Sequence, residues 1–288
     1  MRAAEWCHSS ALLLSLSASC APEVADSPPT VSCVDPELLE GSIEIASDEN
    51  FLQLPAGCFA VSDDLLVQGE VITDASRLSE LVSVGGSLKI DGTSITGLDM
   101  KVLQAVGCDL AVTNNRTLGA ASSPLLAHVG GLLSIVGNER MIALELSQLE
   151  SVASVWVSAC AVSNLDGFRN LKRIDGGSAS LLNVSFNPSL ETVSGLAQLE
   201  RFEGKLLLDG NGLLSSVEGL EALTQLASLD VGATAVTSLA PLGSVTSVTG
   251  DVRIALNPRL VTLGLSSLSR IDDDLTIADN PEPRRMRS

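Results

Sequence analysis

From Leu88 to the C-terminus, one unit of about 23 residues recurs nine times. Each unit opens on two apolar residues with one residue between them: Leu88/Ile90, Leu110/Val112, Leu133/Ile135, Val155/Val157, Leu182/Val184, Leu206/Leu208, Leu229/Val231, Val252/Ile254 and Leu275/Ile277. Successive units are offset by 22 to 24 residues, with one interval of 27 before Leu182. A unit this short cannot bury its own apolar face, so the units must stack and share a continuous core. The chain is therefore expected to be a solenoid, an architecture that favours a recognition surface over catalysis.

The opening of each unit alternates apolar and polar residues, as in Gly250-Asp251-Val252-Arg253-Ile254. That pattern is a strand with one buried face, and strands stacked in register form one long parallel sheet. Three residues beyond the second apolar position stands a recurring site: Thr93, Asn115, Asn138, Cys160, Asn187, Asn211, Thr234, Asn257 and Asn280. A buried Asn both donates and accepts, so a ladder of them can satisfy backbone groups freed where each coil turns a corner. Cys and Thr are small enough for the same slot. Beyond the ladder the apolar spacing becomes three, as in Leu190, Val193, Leu196, Leu199 and Phe202. Neither a strand nor an α-helix has that period; 3₁₀-like turns or extended arcs do. The expected fold is mainly β: a right-handed solenoid with one long parallel sheet, an Asn ladder and short 3₁₀ or turn arcs.

The unit Gly-Gly-x-Leu-x-Ile-x-x-Asn-Pro-x-Leu, closing on Gly-Leu-x-x-Leu, resembles receptor L-domain repeats, relatives of leucine-rich repeats. The resemblance is carried by residues 84–90, 129–138, 184–199 and 248–260. It implies a binding or scaffolding surface without shared catalytic residues. The cysteine-rich modules that accompany such domains in receptors are missing from this sequence.

Domain organisation follows. Arg2, the apolar run Ala11-Leu12-Leu13-Leu14-Ser15-Leu16 and the small residues after it read as an export signal over 1–19. Leu16-Ser17-Ala18-Ser19-Cys20 resembles a bacterial lipobox, with Cys20 as the site of lipid attachment, although Ser17 stands where Leu is usual. Ordinary secretion or a periplasmic location is the alternative. Residues 20–32, rich in Pro, Ser and acids, form a tether. Residues 33–59 form an N-terminal cap, closed by a Cys33–Cys58 disulfide. Residues 60–281 are the solenoid, and 282–288 a disordered tail. Cys108 and Cys160 occupy different corners two coils apart, about 10 Å of stacking, beyond disulfide reach. Both are expected to be free.

The net charge of −18 disfavours nucleic acid and anionic membrane surfaces as partners. Contact with a membrane is expected only through a lipid anchor. No Gly-rich phosphate loop, Cys-x-x-Cys or His-x-x-x-His is present, so no cofactor or metal is expected. His128 reads as structural, and Asp272-Asp273-Asp274 as a solvated corner rather than a calcium site. The Asn115-Arg116-Thr117 sequon is coincidental if Asn115 belongs to the ladder; Asn183-Val184-Ser185 is a second sequon. Polysaccharide-cleaving β-helix enzymes share the coiled architecture. The outward strand positions Lys89, Ala111, Ser134, Trp156, Asn183, Leu207, Asp230, Arg253 and Thr276 offer no clustered acid–base pair, so the chain is not expected to be an enzyme. Leu132, Val136, Trp156, Leu181 and Leu207 instead form a candidate binding patch for a protein or glycan at the cell envelope. Two readings compete with it: an insertion at residues 178–181 that folds over Trp156, and a structural envelope protein without a specific ligand.

Overall fold

The computed structural model describes residue 33 and residues 35–281. The segments expected as export signal (1–19), tether (20–32, with Cys20) and tail (282–288) lie outside the described residues. The fold is a β-solenoid whose main sheet has 16 strands, every pair of them parallel. One residue of each coil falls on a single row across its outer face: Glu44, Leu66, Lys89, Ala111, Ser134, Trp156, Asn183, Leu207, Asp230, Arg253 and Thr276.

Two coils thus precede the nine visible as repeats. The segment expected as a separate cap supplies the strand Ile43–Ile45, which pairs in register with Leu65–Gln68. Cys33 and Cys58 are joined by a disulfide with Cα atoms 5.7 Å apart, which ties down the open first edge. Closing a loop of that separation contributes about 3–4 kcal/mol on chain-entropy grounds.

In the early coils a second strand runs just before the first, at Glu37–Leu39, Phe59–Val61, Leu81–Val84 and Ala105–Val106. The two tracks merge into the long strands His128–Val136 and Ser151–Ser158, with a register shift between Val129 and Leu132. Glycine sets the corner between the tracks. A Cβ on Gly85 would lie 2.0 Å from the Ser62 carbonyl oxygen, one on Gly107 1.9 Å from that of Gly85, and one on Gly130 2.0 Å from that of Gly107. Backbone of one coil therefore occupies the place of a side chain on the next. Gly107→Ala is predicted to cost about 2–3 kcal/mol in unfolding free energy. Gly97→Ala, which meets nothing within 4 Å, should be neutral or slightly stabilising in the same thermal melts.

The period-three arcs fold as expected. Short 3₁₀ turns occur at Asp166–Phe168, Ser194–Leu196 and Ala240–Leu242, and two three-stranded parallel sheets complete the back. Leu190, Val193, Leu196, Leu199 and Phe202 are all buried in one continuous aliphatic core.

All six ladder asparagines make the same pair of hydrogen bonds. The Oδ1 atoms of Asn115, Asn138, Asn187, Asn211, Asn257 and Asn280 accept the backbone N–H of the ladder residue one coil earlier, at 2.9–3.1 Å. Their Nδ2 atoms donate to the carbonyls of Ile90, Val112, Val157, Val184, Val231 and Ile254, at 2.7–3.0 Å. Asn115 is fully buried with its amide so engaged, which removes it as a glycan acceptor. The residue before each ladder position has a positive φ, from 50° at Ala233 to 72° at Gly210. Where it is Phe186 or Leu256 the side chain stands out in solvent, at a backbone cost of about 1–2 kcal/mol. Asn187→Ala would strip partners from the Cys160 N–H and the Val157 carbonyl. We predict a loss of about 3 kcal/mol in unfolding free energy, measurable by denaturant titration.

Cys160 fills the ladder slot with a buried free thiol, its Sγ facing the Ile135 carbonyl at 3.5 Å. Desolvation pushes its pKa from 9.0 up to about 11. Unfolded, the thiol ionises near 9 while the folded one keeps its proton. The stabilisation is therefore complete below about pH 9 and is lost as pH rises towards 11. Cys160→Ala should flatten the fall in stability over that window. Cys108 differs from expectation: it is held in a disulfide. The stacking argument ruled out Cys160 as its partner and said nothing of the cysteines outside the repeats.

Candidate functional site

Three adjacent strands, His128–Val136, Ser151–Ser158 and Leu181–Ser185, define the site. Alternation turns one set of their side chains into the core and the other outward. The outward set is Leu132, Ser134 and Val136; then Ser154, Trp156 and Ser158; then Leu181, Asn183 and Ser185. None of these nine is charged, on a chain of net charge −18. Trp156 stands at the centre and is 37% exposed; Leu132, Val136 and Leu181 around it, and Leu207 one coil on, are half-buried. Asn183, the register partner of Trp156, accepts a hydrogen bond from the Ser185 hydroxyl.

The insertion at 178–181 leaves Trp156 open. It forms a 3₁₀ turn at Gly177–Ala179 at the start of its strand, and the Leu181 N–H donates to Ser154 Oγ at 3.1 Å. One coil further along, Phe186 projects from a backbone with φ of 56°, is 60% exposed and leans over Gly210, where a Cβ would meet its ring at 2.5 Å.

Charge lies on both flanks and is internally paired. On the N-terminal side Lys89 Nζ is 3.1 Å from Asp91, which also accepts hydrogen bonds from Thr113 and Asn114. Burial works against the Asp91 carboxylate, but these donors outweigh it and hold its pKa below the usual range. On the C-terminal side Arg253 Nη1 bridges Asp230 at 2.7 Å and Asp209 at 3.3 Å. The hydrogen bond that Arg253 donates to Asp230 leads in raising the guanidinium pKa further. The outer face thus has an uncharged window with an aromatic at its centre, flanked by these ion pairs and, beside Leu181, by the exposed Lys205.

A polar groove of about 1210 Å³ runs across the coils at the glycine corner and reaches the window at Leu132. Asp63, Asp64, Asp109 and Asp175 line it. Asp64 Oδ1 accepts the Ser87 N–H and Asp109 Oδ1 the Leu132 N–H, both at 2.7 Å. These carboxylates cap strand starts on the next coil. The sequence carries the signal for this corner in Gly85-Gly86 and Gly130-Gly131, but only as repeat punctuation; the groove comes from stacking.

Among the described residues, no three His, Cys, Asp or Glu side chains come together as a metal would require, and no helix is long and apolar enough to cross a membrane. His128 is exposed, its Nδ1 3.1 Å from Ser151 Oγ. Asp272 pairs with Arg270, and Asp251 accepts the Asp274 N–H.

No protein-family model matches the chain. It is 26% identical over 195 residues to a cell surface GPI-anchored protein of Arthroderma benhamiae, covering 62% of this chain and 49% of that protein. It is 21% identical over 238 residues to sporulation-specific protein 22 of Saccharomyces cerevisiae, covering 68% of this chain and 50% of that one. The chain spans about half the length of the curated relatives it matches. Among solved structures, an internalin from Listeria monocytogenes aligns over 78% of this chain and 70% of its own, at 14% identity and a TM-score of 0.37.

Proposed function

We propose that this chain is a non-enzymatic recognition or scaffolding protein of the cell envelope. It binds a protein or glycan through the outer face of its main sheet, in the manner of receptor L domains. One observation carries the reading: eight uncharged positions on three adjacent strands, of which Ser134, Ser158 and Ser185 are buried, surround an exposed tryptophan on an otherwise strongly acidic chain. Water is readily displaced from such a surface, whose half-buried Ser154 and Asn183 offer hydrogen bonds to neutral partners. Aromatic rings so placed are the usual anchors of an interface. The surface location draws support from the similarity to a fungal protein named for the cell surface. The proposed anchor is a lipid on Cys20, in the outer membrane, an arrangement in which the Cys20 sulfur cannot also be joined to Cys108.

Two measurements test this. Cell-envelope proteins and an array of glycans are screened for retention on wild-type protein and on Trp156→Ala. The variant is expected to lose the retained partner by about tenfold or more, the cost of removing a hot-spot aromatic, with its melting temperature unchanged. A Trp156→Ala protein that keeps every partner rejects the sheet face as the site. The intact mass of the mature protein tests the anchor. A glyceride-modified Cys20 at the N-terminus is expected, and an unmodified chain rejects it.

A further inference from the structure

Trp156 stands among neighbours too small to enclose it. Its register partners are Ser134 and Asn183, and Ser154 and Ser158 lie two residues away on its own strand and on the same face. Ser134 and Ser158 are buried although their side chains point outward. Such cover is expected of an indole lying along the sheet, one face on the serines and the other in solvent. Ser154 and Asn183, on its two remaining sides, are half-buried.

Each of these two keeps a free donor. Ser154 Oγ accepts the Leu181 N–H at 3.1 Å, and its own proton has no partner among the described residues. Asn183 Oδ1 accepts the Ser185 hydroxyl, and its Nδ2 hydrogens have none. The window is therefore an apolar plate with hydrogen-bond donors at two edges and no charge on the outward positions of its three strands.

We infer that its ligand is a neutral glycan, a chain of β-linked, glucose-configured rings; the inference rests on the reading of the sheet face as the binding surface. Equatorial hydroxyls leave the faces of such a ring lined by C–H groups, which stack on an indole. They also set oxygen acceptors around the rim, where Ser154 and Asn183 donate. Size selects against a protein. Three strands span about 10 Å and the run Leu132–Val136 about 13 Å, a footprint of roughly 130 Å² where a stable protein interface covers about 800 Å² on each side. Charge selects among glycans, because a chain of net charge −18 repels uronate or sulfated polymers. Phe186 supplies a second plate. Its ring packs against the backbone at Gly210 and is largely exposed. By strand spacing it lies about 11 Å from Trp156, one coil and three residues away, a distance that a short oligosaccharide spans and a single sugar does not.

Isothermal titration calorimetry of the full chain tests this. The probes are hexaoses of β-1,4-linked glucose and of β-1,4-linked N-acetylglucosamine, glucose itself, and a galacturonate hexaose. A neutral hexaose is expected to bind with Kd of about 10 µM to 1 mM, glucose about tenfold more weakly or worse, and galacturonate not at all. Trp156→Ala should lose about tenfold or more for that hexaose. Asn183→Asp, which keeps the acceptor for Ser185 and removes the free donor, should lose about fivefold or more. Phe186→Ala should bring the hexaose down towards the monomer. Melting temperatures should not change. Failure of both neutral hexaoses to bind, or binding of galacturonate in their place, overturns the inference; the sheet face still stands as a binding surface if Trp156→Ala then loses a protein partner. A neutral hexaose held equally by wild type, Trp156→Ala and Asn183→Asp contradicts both, because its site would lie elsewhere.

Discussion

Everything in this fold hangs on the bond each coil makes to the one before it at the ladder corner. There the strand has ended, the backbone has passed through a left-handed residue, and one N–H and one C=O per coil are left without strand partners in a water-free place. In six coils a single buried amide answers both, accepting from one neighbouring coil position and donating to another. An unmet pair would cost about 2–6 kcal/mol at each coil boundary, enough over several boundaries to erase the net stability of an ordinary domain. The apolar arcs give the coils a reason to stack, and the ladder fixes the register in which they do so.

That register has a consequence on the opposite face. Because the ladder and the glycine corner hold the coils together from inside and at the edge, the outward strand positions carry little of the stacking, and over three coils they are uniformly uncharged around Trp156. Phe186 adds an exposed aromatic ring beside this surface, at a backbone angle that suits glycine. The flanking ion pairs, Lys89 with Asp91 and Arg253 with Asp230 and Asp209, quench charge beside this window rather than stabilise the coil to any large degree.

The repeat made most of the architecture legible. Paired apolar positions gave the strands, the period of three gave the 3₁₀ arcs, and the recurring Asn gave the ladder, because each is a one-dimensional signal. Ile43/Ile45 and Leu65/Val67 obey the strand rule but lack an Asn three residues on, so those two coils went uncounted. The left-handed residue before the ladder left no single signature, being glycine in some coils and Asn, Ala, Phe, Leu or Asp in others. The groove and the merging of two strand tracks depend on coils touching across the glycine corner, which no single coil encodes. Cys108 was misjudged for a related reason: spacing inside the repeat limits pairing inside the repeat alone. In the site, the alternation rule picked out the outward positions, while the neutral window emerged only once neighbouring strands were set in register.

The most direct measurement is the intrinsic fluorescence of the protein. The chain has no tyrosine and two tryptophans, Trp6 and Trp156, so in a Trp6→Phe variant the emission reports one side chain. Titrated with solubilised envelope material that the protein binds, Trp156 should shift to shorter wavelength and become shielded from acrylamide. Binding that leaves both its emission and its quenching unchanged would contradict the account, because contact would then lie elsewhere on the solenoid.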